Sequence, residues 1–233
     1  MVLSLFRWLT KFTLSLIAFY FLLILVIMFA LRWLPVPTSA FMVQHNIQVV
    51  LGERQVGYAQ YKWQAFSEIS PQLALAAIAA EDQRFPHHHG VDLRAIRAAL
   101  NTSRGKLRGA STITQQVVKN LFLWEKRSYF RKGLEAILAM MLELVWSKER
   151  ILEVYLNIAQ FGKQEYGVAI ASKKLLGTDA GKLSRKQAAL LAGVLPSPRV
   201  MRADKPSRRL IKRQRWIERQ MKQLGGVRYL LNL

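Results

Sequence analysis

The most sustained pattern along the chain is an apolar one. Residues 12–31, FTLSLIAFYFLLILVIMFAL, carry no charge and lie between Lys11 and Arg32. A helix of about 20 such residues crosses about 30 Å of hydrocarbon, so the run predicts a membrane span. A cleaved signal peptide is the alternative, with the small residues Thr38, Ser39 and Ala40 following the run. The apolar part of such a peptide is only about 7 to 15 residues long, which favours the anchor. Arg7, Lys11 and the amino terminus on one side against Arg32 on the other place the remaining chain outside the cytoplasm by the positive-inside rule.

Pro35 and Pro37 end the span. Residues 45–66 contain β-branched and aromatic side chains without a clean period, and read as extended. From Ser70 onward the pattern is helical. Ser70 fits an N-cap and Pro71 the first helical position, followed by LALAAIAAE, so one helix ends near Glu81 and Asp82. Further helices are predicted over residues 128–146, over 148–159 closed by Gly162, and over 184–195 stopped by Pro196 and Pro198. Ser184 and Gln187 form a capping box. A last stretch puts Leu210, Ile217, Met221 and Leu224 on one face among seven Lys and Arg, and ends at Gly225 and Gly226. The predicted architecture is a mainly α domain, residues 35–233, behind a cytoplasmic amino terminus and anchor, residues 1–34.

Composition narrows the partners. With 52% hydrophobic side chains in 233 residues the chain can build a core, and a formal net charge of +21 calls for something anionic: nucleic acid, acidic head groups or a phosphorylated substrate. No cysteine is present, which excludes disulfide scaffolds, thiol nucleophiles and iron–sulfur clusters.

Residues 81–90, EDQRFPHHHG, join an alanine-rich helix end to a turn. Flanked by Ala79, Ala80 and Phe85, the Glu81 carboxylate is a candidate for partial desolvation, which raises a carboxyl pKa and makes a usable proton acceptor; the plainer reading is a helix-end carboxylate in solvent. The three histidines do not make a metal motif, because adjacent side chains diverge and HExxH is absent. One of them bonding locally to hold the turn is the better reading. Residues 104–120 then form a basic, Gly-punctuated loop followed by Ser111, Thr112, Thr114, Gln115 and Gln116. That cluster suits a hydroxyl-rich or phosphate-bearing ligand, or simply a polar first helical turn. Ser103 and Lys106 fit an SxxK pattern, but no KTG follows and the match is set aside. Arg127, Arg131 and Glu135 recur every four residues and share one helix face. They are either an intrahelical pair worth about 0.3 kcal/mol or, with Lys132, a cationic surface for a diphosphate, with Glu135 orienting the cations or holding a divalent ion. Ile151, Leu152, Tyr155 and Leu156 have the helical spacing of a core face.

Taken together these segments resemble the peptidoglycan glycosyltransferases of glycosyltransferase family 51, in particular the monofunctional biosynthetic peptidoglycan transglycosylases. The pattern EDxxFxxHxG is matched by Glu81, Asp82, Phe85, His88 and Gly90; GGSTITQQ by Gly109 and by Ser111, Thr112 and the residues on to Gln116; RKxxE by Arg131, Lys132 and Glu135; ILExYLN by residues 151–157. The match covers residues 81–162, and more weakly on to about 206.

The resemblance implies a lysozyme-like, two-lobed, mainly α fold with a jaw dipping into the bilayer. It implies polymerisation of lipid II into β-1,4 glycan strands with inversion and release of undecaprenyl diphosphate. By carry-over Glu81 is the general base and Glu135 a second catalytic carboxylate, while Lys119, Arg127 and Arg131 handle the donor diphosphate. Asp82, Phe85, His88, Ser111, Thr112, Gln115, Gln116, Asn120 and Lys132 are implied as substrate contacts. A divalent cation, Mg or Mn, is implied at Glu135. The implied partners are lipid II, the growing lipid-linked strand, membrane lipids and other cell-wall synthesis proteins, with no nucleic acid; the implied location is the bacterial inner membrane, single-pass, with the catalytic domain periplasmic. Two departures stand out. Ala110 replaces the second glycine of its motif, and Gln187 stands where glutamate is common. The competing readings are a membrane-bound muramidase-like hydrolase, which would need a second carboxylate across the scissile bond, and a non-enzymatic basic binding protein, which explains the charge but not the motif spacing.

Overall fold

The computed structural model describes residues 2–101 and 111–233. The chain divides into two compact units, Met1–Pro35 and Val36–Leu233. In the first, helix α1 (Val2–Ala30) contains a stretch, Leu5–Ala30, long and apolar enough to cross a membrane, with a mean hydropathy of 2.7. It starts well before the uncharged run and takes in Arg7 and Lys11, since nothing in their side chains opposes helix.

The second unit is mainly helical. Its helices are α2 (Ala40–Val50), α3 (Pro71–Glu81), α4 (Leu93–Asn101), α5 (Ile113–Phe122), α6 (Tyr129–Val145), α7 (Lys148–Ile158), α8 (Val168–Leu176), α9 (Arg185–Val194) and α10 (Arg208–Gln223), with short 3-10 turns at Phe66–Glu68, Phe85–His87, Ala180–Lys182 and Gly226–Asn232. Among the described residues the only β pairing is in isolated bridges, one of them Gln60 with Glu165.

Helix boundaries follow local chemistry. Ser39, Ser128, Ser147 and Ser207 each accept a hydrogen bond from a backbone N–H in the first turn of the following helix, while Thr112 with Gln115 and Ser184 with Gln187 form reciprocal capping boxes. Ser70 differs from expectation. It occupies the N-cap position of α3, but its hydroxyl donates to the Leu183 carbonyl at 2.8 Å instead of capping. Residues 45–66 also differ, because residues 45–50 are the end of α2 and only the remainder lacks a long helix. The helix begins at Ala40 behind the Ser39 cap, and Met42 and His45, three apart, are its buried positions; the helical period is visible only when counted from that start.

The centre of this unit is α3, whose residues 73–79 are all buried. A helix apolar all round has to be covered on every side, and α7, α9 and α10 pack on it. Small side chains let them come close. Ala188, Ala189 and Ala192 on α9 are buried, and a Cβ on Gly193 would stand 2.8 Å from Leu210 Cδ1 of α10. On the other side α5 packs against both α6 and α7. The carboxyl end of α3 therefore meets the flank of α5 and the side of α10.

Candidate active site

Glu81 is the last residue of α3, and its side chain is 14% exposed. Oε2 accepts from Gln116 Nε2 of α5 at 3.1 Å, and Oε1 accepts from Arg213 Nη2 of α10 at 3.1 Å. Burial pushes the carboxyl pKa up. The Gln116 hydrogen bond and the nearby Arg213 and Lys119 charges pull it back, and Asp82 adds to the rise. Tyr155 of α7, fully buried behind the pair, donates to Gln116 Oε1 at 3.3 Å and is pushed well up by burial and by the two carboxylates.

Asp82 points into the scaffold. Its Oδ2 accepts from the Ile113 backbone N–H at 2.9 Å, occupying the first free donor of α5, and His88 Nε2 lies 3.1 and 2.9 Å from its two oxygens. The pair is buried on both sides. His88 in turn accepts at its carbonyl from Lys148 Nζ at 2.6 Å, and the same ammonium lies 2.7 Å from Glu143 and 4.5 Å from the centre of the buried Phe85 ring. Thr114 completes this brace by donating to Glu143 at 2.6 Å. Gly90 closes the turn with φ of +78°, and a Cβ there would meet the backbone of Ala139 in α6 at 2.8 Å. Thr112 Oγ1 donates to the Gly90 carbonyl at 2.5 Å. Asp82, Phe85, His88 and Thr112 thus hold α3, α5 and α6 in register beside Glu81, while Gln115 closes the capping box of α5 with Thr112.

A cationic cluster lies along α5 and α6. Arg131 Nη1 donates to Glu135 Oε2 at 2.9 Å, with both side chains buried. Lys132 Nζ bonds Glu135 Oε1 at 2.5 Å and Ser111 Oγ at 2.9 Å. Lys119 of α5 is half-buried, with its ammonium 5.5 Å from the Phe41 ring centre. Burial lowers its pKa; Glu135 and, more weakly, Glu81 favour its charge, while Arg131 and Lys132 oppose it. Lys119 is therefore the electrostatic link between the carboxylate of α3 and the cluster of α6. Asn120 is buried on α5, and Arg127 is exposed just before α6. Each oxygen of Glu135 accepts one hydrogen bond, from Arg131 and from Lys132, and no group of three His, Asp or Glu that could hold a metal ion occurs among the described residues. This donor set does not fit a protein-held divalent cation.

Sequence reasoning named neither Arg213 nor the Lys148–Glu143 brace. Arg213 is one of many cations in α10 and lies 132 residues from its partner, so no local signal distinguishes it. Gly109 and Ala110 of the second motif, and Ser103 and Lys106, lie outside the described residues.

A family model described as transglycosylase matches residues 48–222. The biosynthetic peptidoglycan transglycosylase of Pseudomonas putida strain F1 is 51% identical over 211 residues, 90% of this chain and 89% of that protein. Proteins of the same description from Pectobacterium carotovorum and Xanthomonas campestris are 51% and 47% identical, covering 85% and 86% of this chain and 82% of each relative.

Proposed function

Because this chain belongs to the transglycosylase family, and so is a glycosyltransferase of peptidoglycan synthesis, we propose that it polymerises lipid II with Glu81 as general base. In this reading Glu81 takes the proton of the acceptor sugar's 4-hydroxyl as that oxygen attacks the donor's anomeric carbon. The bond from that carbon to the lipid diphosphate breaks on the opposite face, so the configuration inverts and undecaprenyl diphosphate leaves. Negative charge grows on the departing diphosphate, and Lys119, Arg131, Lys132 and the exposed Arg127 are the cations suited to receive it. Glu135 holds Arg131 and Lys132 in place.

The observation that carries the reading is the setting of Glu81: a largely buried carboxylate, raised in pKa yet bonded to Gln116 and Arg213, coupled through Lys119 to a cationic cluster. A carboxylate raised above its ordinary pKa is a stronger proton acceptor than a solvated glutamate, and the Gln116 and Arg213 contacts favour its ionised form. Hydrolysis fits less well, because the neighbouring carboxylate, Asp82, is committed to Ile113 and His88 and is not free to serve across a scissile bond.

The remaining assignments follow from the same reading. Residues 1–34 anchor the enzyme in the bacterial inner membrane, and residues 35–233 form the catalytic domain on the periplasmic side. Phe130, Ile137 and Leu144, seven residues apart on α6, are 71%, 44% and 87% exposed, which supports lipid contact at that face. The test is polymerisation of lipid II by the full chain in detergent. Glu81→Gln is expected to lower turnover by about 100-fold or more while leaving lipid II binding intact; near-normal turnover would remove Glu81 from the role.

A further inference from the structure

We infer that Arg213, on the C-terminal helix α10, is a positioning residue for Glu81: its guanidinium fixes one carboxylate oxygen and holds the side chain as an anion aimed at the acceptor hydroxyl. The inference rests on the reading of Glu81 as the base, and adds a residue from a helix that contributes none of the motifs.

The geometry is specific. Arg213 Nη2 lies 3.1 Å from Glu81 Oε1, while Gln116 holds Oε2 from the other side. A carboxylate has about four acceptor positions, so two donors fix its plane and leave a lone pair on each oxygen for an incoming hydroxyl. The arginine is itself held. Its side chain is 28% exposed, its Cζ lies 6.0 Å from the Trp216 ring centre, and its Nε is buried without a hydrogen-bond partner among the described residues.

The helix carrying Arg213 is clamped where it matters. Gln214, the next residue, is buried and donates to the Lys186 carbonyl of α9 at 2.8 Å. One turn and a half further on, Gln220 accepts from Gln83 Nε2 at 3.0 Å, and that amide also reaches the Ala79 carbonyl at 3.2 Å, within the last turn of α3. Tyr229, beyond α10, donates to the Gln83 carbonyl at 2.8 Å. These bonds fasten the C-terminal segment to the residues that flank Glu81. Of the six other cations of α10, Arg208, Lys212, Arg215 and Arg219 line an outward groove together with Pro206 and Ile211, and Arg209 and Lys222 are exposed, so Arg213 is set apart from them by direction.

Every charged or titratable group facing the carboxylate has a definite sign. Arg213 from α10 and Lys119 from α5 favour the anion; Asp82, next in the chain, opposes it; Tyr155 from α7 is neutral and bonds through Gln116. Removing Arg213 takes away one of two cations while burial and Asp82 remain, so Glu81 binds its proton at higher pH. A base is active only when deprotonated, and the acid limb of kcat/KM must therefore move to higher pH.

The experiment measures kcat and KM for lipid II polymerisation against pH for the full chain in detergent, with Arg213→Ala, Arg213→Gln and Arg213→Lys, and with Arg219→Ala as the exposed control on the same helix. Both neutral variants are expected to lose roughly tenfold or more in kcat/KM on the acid side, as for a lost charge-assisted contact, with the deficit shrinking as pH rises and KM little changed. Arg213→Lys should keep the wild-type limb while losing part of kcat, since it retains the charge and loses the fork. A loss uniform across pH, or one equal to that of Arg219→Ala, overturns the inference. If Arg213→Ala does not fold, the limb in Arg213→Gln decides. Should Glu81→Gln itself polymerise normally, the underlying reading fails; should Glu81→Gln be inactive and the Arg213 limbs stay unmoved, only this inference fails.

Discussion

Replacing Glu135 by glutamine removes one charge from a cluster of cations, and the structure fixes what that costs. Arg131 and Glu135 are 8% and 4% exposed and 2.9 Å apart; removing one partner of such a buried pair costs about 3–5 kcal/mol, because the other charge stays buried without compensation. Lys132 is 45% exposed, keeps its water, and adds at most about 1 kcal/mol. The glutamine carbonyl can still accept from one of the two donors, so the lower end applies, about 3 kcal/mol. In urea this shifts the unfolding midpoint of the detergent-solubilised chain down by about 1 M or more. The same substitution reaches Lys119. Burial already lowers its pKa, and Glu135 is the largest influence holding it up; without Glu135 the ammonium loses its proton at lower pH. If Lys119 stabilises the leaving diphosphate, the alkaline limb of kcat moves to lower pH in Glu135→Gln. An unchanged midpoint would refute the burial argument, and an unmoved alkaline limb would refute the coupling of Glu135 to Lys119.

Two further outcomes separate scaffold from chemistry. Gly90→Ala forces a left-handed residue and drives a Cβ to within 2.8 Å of the α6 backbone; strain and overpacking together cost about 2–5 kcal/mol, and thermal unfolding should show it along with loss of polymerisation. Ser184→Ala removes half of an exposed capping box at the start of α9 and should lower stability by about 1 kcal/mol, with kcat at wild-type level; a large kcat defect there would mean that the seating of α9 controls the site.

Much of this protein is written locally. The uncharged run, the capping residues and the apolar periods predicted the long apolar N-terminal helix and the helices around α3, α6, α7, α9 and α10, because each rests on contacts within a few residues: a side-chain oxygen three positions from its N–H, or apolar side chains three and four apart. The four motifs identified the family by the same token. What the tertiary structure decided is which of those residues meet. Asp82 and His88 bond each other across one turn, but the N–H that Asp82 holds belongs to Ile113, 31 residues away. Glu81 is gripped from α5 and from α10, at separations of 35 and 132 residues. Composition showed an excess of cations and could not say that one of the seven between residues 208 and 224 faces inward. Helix periodicity gives the direction of a side chain relative to its own axis; the identity of what it faces depends on how helices pack, and here that is set by small residues such as Gly193 and the alanines of α3 and α9, whose lack of bulk brings α10 close enough for Arg213 to reach a carboxylate.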